Sequence, residues 1–318
     1  MSHELARGKP LSPDQRDRYI IERLRKATEP LSGELLSAEL GLSRVALWKR
    51  IESLKAWGYG IEASRKGYLL VSDDGLAGWD IDAPGPVLLF DTTGSTMDEA
   101  RALAAGGAVS GTTVLALQQS AGRGLGGRPW VSPAGGLYVS VVLRSDLPPT
   151  SAGALSLEAS SVTLATLNAA GATELQFRWP NDIVMITASS GRSRKVGGVV
   201  VESYGDLGHA DYYIVGMGLS TAPLELAGSA TAARRAVLAA AIVKSLALWA
   251  EHPALDASRW AWMAPEPGTV ARVSLWNGTE RHLMPDGFND HGDIMPSGGG
   301  QPISIGECRA IYYEGASH

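Results

Sequence analysis

Residues Gln119 to Trp130, QSAGRGLGGRPW, place four glycines and two arginines in one short stretch that ends on proline and tryptophan. Arginine supplies a permanent positive charge on a fork of N–H donors, and glycine lets the backbone come close to a ligand. Such a stretch can wrap an anion, or it can be a slack surface loop. It lacks the Gly-Lys-Ser/Thr ending of a P-loop, so it is not a Walker motif. A second group is RWPND, Arg178 to Asp182. There Pro180 stiffens a turn presenting Asn181 and Asp182, and a carboxylate beside an amide suits a magnesium ion that carries phosphates. The competing reading is a plain turn with the aspartate as a cap. Lys195 is the third, ending the polar stretch TASSGRSR, read as a hairpin tip, and opening the apolar run VGGVVVE. It is either a solvated charge or, facing a phosphate site, a group that stabilises charge built up in a transition state. Joined in one place, the three would serve a reaction between a carboxylate and ATP, which must offset several negative charges, expel water and align an in-line attack at phosphorus.

Alternating strands and helices must position these groups. VLLFDTT, a helix from Ser95 to Ala105, TTVLALQQ, the Gly/Arg stretch, GGLYVSVVLR and a helix from Ser151 to Ala170 follow one another. ELQFRWP, the turn at Asn181 and Asp182, KVGGVVVE and DYYIVGMGL come next, then Ala-rich helical sequence over residues 227–250. This is an α+β pattern with a large mixed sheet. Beyond Pro267 an Asn277-Gly278 hairpin turn and further short strands suggest a small β-barrel.

The amino-terminal part differs in charge. Residues 1–70 carry 13 Lys+Arg against 9 Asp+Glu and the remainder 15 against 24, within a net charge of -5. A helix from Ser12 to Lys26 would bury Tyr19, Ile20 and Leu24. Two more helices, broken at Gly41, lead into the hairpin IEASRKGYLL. Ser43 is a natural N-cap for the third helix, whose stripe of Leu47, Trp48, Ile51 and Leu54 would be buried, leaving Arg44, Lys49, Arg50 and Ser53 to solvent. This is the pattern of a winged helix-turn-helix, with Ser43, Arg44, Lys49 and Arg50 toward the DNA major groove and Arg65 and Lys66 of the hairpin toward phosphate. A helical hairpin that merely packs on a neighbour is the alternative. Residues 71–86, VSDDGLAGWDIDAPGP, read as a linker. The domain division is therefore 1–70, linker 71–86, 87–266 and 267–318.

One cysteine, Cys308, excludes a disulfide framework and a cysteine-built zinc site, and it is expected to be inert. No apolar leader or membrane-spanning stretch is legible, so the expectation is a cytoplasmic protein with no membrane partner. The six histidines show no metal-ligand spacing. Trp260 and Trp262 are expected in the core or at a domain interface.

The ordered set of TTGSTMDEA, QSAGRG, SPAGGLYVSVVLR, RWPND, RKVGGVVVE and VGMGL, following the winged-helix sequence, resembles the bifunctional biotin-protein ligases that are also biotin-operon repressors. The resemblance runs to about residue 220. It implies a winged helix-turn-helix, a central mixed-sheet biotin/lipoate-ligase-like domain and an SH3-like carboxyl-terminal β-barrel. The implied reaction makes biotinyl-5'-AMP from biotin and ATP with Mg2+, then transfers biotin to a lysine of a biotin carboxyl carrier protein domain. By motif, Ser95, Thr96 and Gln119 would bind the ureido ring, and Gly122, Arg123 and Gly124 would wrap the carboxylate and phosphate. Arg128 and Trp130 would close the loop on the nucleotide. Asn181 and Asp182 would place magnesium and triphosphate, Lys195 would act between carboxylate and α-phosphate, and Gly216 and Gly218 would pass close to the bicyclic ring. The resemblance further implies operator DNA as a partner and a homodimer formed when the adenylate, as corepressor, is bound.

Four positions depart from the family pattern: Leu125 where an arginine is usual, Met97 for asparagine, Arg178 for lysine and Ser220 for asparagine. Leu125 implies easier escape of the adenylate, because a charge-assisted contact is absent. A biotin-responsive DNA-binding regulator that has lost ligation is the alternative these departures raise. A lipoate ligase shares the implied catalytic fold, but the winged helix and the Ser95-Thr96 pair speak against it.

Overall fold

A computed structural model describes residues 10–11, 15–186, 193–206, 208–220 and 234–313. The sequence expectations for TASSGRSR and the start of the Ala-rich stretch fall largely outside these residues.

The amino-terminal domain opens with α1 (Gln15–Arg25), α2 (Gly33–Leu40) and α3 (Arg44–Ala56) and ends in the hairpin β2 (Tyr59–Ser64) and β3 (Gly67–Asp73). Ser43 Oγ accepts from the Ala46 N–H and so starts α3 as the sequence requires. Two side chains sit elsewhere than expected. Tyr19 is partly exposed, its hydroxyl donating to Glu39, while Ile20, Ile21 and Leu24 fill the core. Trp48 is 53% exposed, because Leu47, Ile51 and Leu54 complete the buried stripe of α3 without it.

Residues 71–86 are not slack. The first three finish β3, and Leu76, Ala77 and Ile81 are buried in a core continuous with the central domain. The acidic residues are held by arginines from both sides: Arg25 and Arg234 each pair with Asp73 and Asp80, and Arg235 pairs with Asp74.

The central sheet has eight strands in the order β1-β4-β5-β6-β10-β9-β8-β7. These are β1 (Pro10–Leu11), β4 (Val87–Thr93), β5 (Thr113–Gln119), β6 (Leu137–Leu143), β7 (Leu175–Arg178), β8 (Asp182–Ile186), β9 (Ser193–Gly205) and β10 (Ala210–Leu219). β4 and β5 run parallel and the other neighbours antiparallel, so the sheet is mixed. Both faces are covered, which is why β6 is apolar almost throughout. Its Val139 and Val141 join the core under α5 (Ala152–Ala169) and α6 (Arg235–Glu251), and Val142 joins the one under α4 (Thr96–Ala105).

The carboxyl-terminal strands form two small sheets, β12-β11-β15 and β13-β14, rather than one closed ladder. They are β11 (Ala271–Leu275), β12 (Glu280–Leu283), β13 (Pro285–Phe288), β14 (Ile294–Pro296) and β15 (Cys308–Tyr313). The expected hairpin at Asn277-Gly278 joins β11 to β12, with the Gly278 N–H donating to Leu275. Their core takes in Trp179 and Leu157 of the central domain as well as Trp260, whose indole N–H donates to buried Glu158. Trp262, by contrast, is 53% exposed. Cys308 is fully buried, and burial pushes its thiol up to about 12.

Candidate active site and nucleic-acid interface

The Gly/Arg stretch is a folded hairpin. Gln119 bridges Ser132 and Arg123 bridges Pro129, the Gly124 N–H donates to Arg128 and the Trp130 N–H to Gly122. Gly126 and Gly127 turn the tip at φ +65° and +74°, where a Cβ is strained. The N–H of Gly124, expected beside the carboxylate and phosphate, is thus spent inside the loop, as is that of Gly127. Leu125 packs against the carboxyl-terminal core.

This hairpin, the start of α4, β9 and β10 line a small, partly open cavity. Of the residues expected at the site, Ser95, Thr96, Gln119, Arg123, Gly124, Trp130, Asn181, Lys195, Gly216 and Gly218 line it. Gly122 lies behind the wall, where a Cβ would meet Ser132 Oγ and the Trp130 carbonyl at 2.6 Å. Arg128 does not line the cavity; it is exposed, and its Nε donates to the Leu125 carbonyl at 3.1 Å. Gly198, Val200, Met97 and Met217 also line the cavity and were not among the expected site residues. The Gly197-Gly198 pair was the available signal for the first of these.

The polar wall is built at the head of α4. Gln119 Oε1 accepts from the Thr96 N–H at 2.8 Å and the Thr96 hydroxyl at 3.1 Å, while its Nε2 donates to Ser132 Oγ at 2.9 Å. Ser140 donates to Thr96 Oγ1 at 2.8 Å. Gln119 Oε1 therefore supplies the acceptor at the head of α4 that the Ser95 side chain does not.

Each cation at the cavity is held by a carboxylate. Arg123 Nη1 lies 2.5 Å from Asp98 Oδ2 and its Nη2 lies 3.5 Å from Glu202. Asp98 is anchored in turn by Arg101 at 2.9 Å. The hydrogen bond to Asp98 raises the Arg123 pKa above its ordinary value. Lys195 Nζ lies 2.5 Å from Asp182, which Arg178 approaches at 3.8 Å, and 5.1 Å from the centroid of the Trp130 ring.

Lys195 reaches this place through a β-bulge. β9 pairs with β8 as Gly197 to Ile183 and Lys195 to Val184, leaving Val196 extra. In strict alternation Lys195 would share the face of Gly197 and Val199, under α5; the extra residue puts Val196 there and turns Lys195 to the cavity. Asn181 is buried, its Nδ2 donating to the Val199 carbonyl at 2.8 Å. Its Oδ1 and the Trp130 Nε1, an acceptor and a donor, are both buried with no partner among the described residues.

On the amino-terminal domain, Lys49 and the hairpin-tip residues Arg65 and Lys66 are exposed as expected. Arg44 is exposed and paired with Glu34 at 2.9 Å. Ser43 is occupied as a cap. Arg50 does not face solvent with them: it turns toward α1 and pairs with the buried Asp17 at 3.0 Å.

Comparison with known proteins agrees with this layout. The "Biotin/lipoate A/B protein ligase family" matches residues 90–220, and an HTH domain family matches residues 16–69. The bifunctional ligase/repressor BirA of Bacillus subtilis is 34% identical over 212 residues, 63% of either chain. That of Escherichia coli is 33% identical over 200 residues, 60% of this chain and 59% of the relative. The match thus spans somewhat under two thirds of these relatives. A biotin-bound point mutant of the Aquifex aeolicus biotin protein ligase superposes with a TM-score of 0.55 at 21% identity, over 71% of this chain and 98% of that one, a likeness of fold. With both matched domains present and in the same order, the chain is similar to the biotin-protein ligases that carry an amino-terminal helix-turn-helix domain.

Proposed function

We propose that the protein is a biotin ligase that also binds DNA. It activates biotin with ATP and transfers it to a lysine of a biotin carboxyl carrier domain. The observation that carries this reading is the convergence of Arg123, Lys195, Asn181 and Trp130 on one cavity whose other wall is Ser95 and Thr96.

In the first step a biotin carboxylate oxygen bonds to the α-phosphorus of ATP and pyrophosphate leaves, giving biotinyl-5'-AMP. In the second, a carrier lysine amine attacks the anhydride carbonyl; an amide forms, AMP leaves and the amine releases a proton. Ser95 offers its hydroxyl to the ureido group, next to the Thr96 hydroxyl that Gln119 and Ser140 hold in place, and a wrong acid would leave the Ser95 group unpaired. Arg123 and Lys195 offset the charge of carboxylate and α-phosphate, with Lys195 exchanging Asp182 for the substrate anion as charge develops. Gly216 and Gly218, on which Met97 and the Trp130 ring lie closely, would border the ring system, and Trp130 offers a face to the nucleotide.

Asn181 Oδ1, buried and unpartnered, stands beside the Asp182 carboxylate, and such hard oxygen donors fit magnesium, which keeps water and phosphate as its other ligands. Bound there, Mg2+ would neutralise phosphate charge. Among the described residues no cluster of three metal-ligating side chains competes for that role.

The amino-terminal domain, in this reading, binds operator DNA, and the adenylate acts as corepressor by favouring a homodimer. The carboxyl-terminal strands would be an SH3-like unit bordering the loop tip, and the boundaries near residues 70, 86 and 266 would divide the chain. No described helix is long and apolar enough to cross a membrane, and a cytoplasmic location is part of the proposal.

Incubation with biotin, MgATP and a carrier domain, followed by the carrier's mass, tests the reading. A gain of one biotinyl group is expected. An unmodified carrier, with DNA binding still responsive to biotin, would favour the regulator without ligation, and activity with lipoate instead would favour a lipoate ligase.

A further inference from the structure

We propose that the helix-turn-helix domain selects its DNA through apolar contact with thymine methyl groups, with Val45 and Trp48 as the side chains that set specificity; this rests on the DNA-binding reading above. Both lie in the first two turns of α3, the part of a recognition helix that meets base edges. They are three residues apart; Val45 lies on the side opposite Leu47, Ile51 and Leu54, and Trp48 at the edge of that buried stripe. Val45 is 64% exposed and Trp48 53% exposed, so folding leaves both apolar surfaces in water.

The polar groups of α3 are partly engaged elsewhere. Ser43 caps the helix, Arg50 is drawn to Asp17, and Arg44 is shared with Glu34. The helix sequence RVALWKRIESLKA contains no asparagine or glutamine for paired hydrogen bonds to adenine. In the major groove the apolar feature is the C5-methyl of thymine, so an apolar reader selects thymine. Charge favours DNA as the occupant of this face. Lys49 stands beside Trp48, and Arg65 and Lys66 at the hairpin tip border the same groove as Arg44.

The test uses the full chain with biotin and MgATP. Bound sequences are selected from a random duplex pool by the wild type and by Trp48→Ala, and the wild-type site is then remade with deoxyuridine for thymidine, which removes only the methyl. We expect a thymine-containing consensus, and about a tenfold loss of binding on methyl removal at a contacted position. Trp48→Ala should show a similar loss, with unchanged melting temperature, non-specific affinity and salt slope. Lys49→Ala should instead weaken all sequences and flatten the salt dependence. An unchanged consensus from Trp48→Ala together with equal binding of the deoxyuridine site would overturn the inference while leaving DNA binding intact. A wild type that selects no sequence would overturn both, and sedimentation showing a Trp48-dependent dimer without DNA would assign the face to a second copy of the chain.

Discussion

Lys195 Nζ, which lines the cavity, and Asp182 Oδ1, which does not, lie 2.5 Å apart, so the ammonium is held in place before any anion arrives. Replacing Lys195 with methionine keeps length and removes charge. Activation, followed as pyrophosphate release from biotin and MgATP, should fall by about 10²–10³, with Lys195→Arg intermediate. Wild-type rates from Lys195→Met would remove the lysine from the chemistry.

Gly218 sits under the Trp130 ring, where an added Cβ would lie 2.6 Å from Nε1. A rigid indole cannot yield there as a flexible chain can. Gly218→Ala should therefore displace Trp130 from Lys195 and raise the KM for ATP by about tenfold, a loss of roughly 1.4 kcal/mol. Circular dichroism should show the fold intact, and an unaltered KM would mean that the ring position does not matter.

Asp98 anchors Arg123 without lining the cavity. Asp98→Asn weakens that anchor, and biotin binding measured by calorimetry should weaken by about five- to tenfold. Tighter binding in the variant would show instead that the carboxylate competes with the ligand.

At Leu125, the side chain packs on the carboxyl-terminal core while its carbonyl accepts from Arg128. Leu125→Arg should slow release of radiolabelled biotinyl-AMP, because a charge-assisted contact contributes about 1.5–3 kcal/mol. Equal off-rates in the two proteins would dismiss the idea.

Burial works against the charged form of Asp80, but hydrogen bonds from Arg25 and Tyr59 outweigh it and lower its pKa. A lowered carboxyl pKa stabilises the fold above the unfolded value, about 3.9, and that contribution disappears as pH falls through the folded value. Asp80→Asn should cost about 3 kcal/mol at pH 7, with the gap to wild type shrinking below about pH 4. A gap that stays constant from neutral to acid pH would contradict this account of the junction.

Much of this was legible in sequence because it is local. Ser43 caps α3, Asn277-Gly278 makes its hairpin, and the apolar runs of β5, β6 and β10 declare buried strands. Motif order likewise brought Arg123, Asn181 and Lys195 under consideration together. What sequence could not supply was orientation. Periodicity places Trp48 near the edge of the buried stripe, and only the neighbours that fill the core decide that it stays outside. The acidic, glycine-containing residues 71–86 read as a linker, and only the structure shows that Arg25, Arg234 and Arg235 hold them. Lys195 is the clearest case: strand alternation assigns it to the helix-covered face, and one unpaired residue, Val196, turns it to the cavity. A bulge depends on how two strands register, and that is settled only when the sheet assembles.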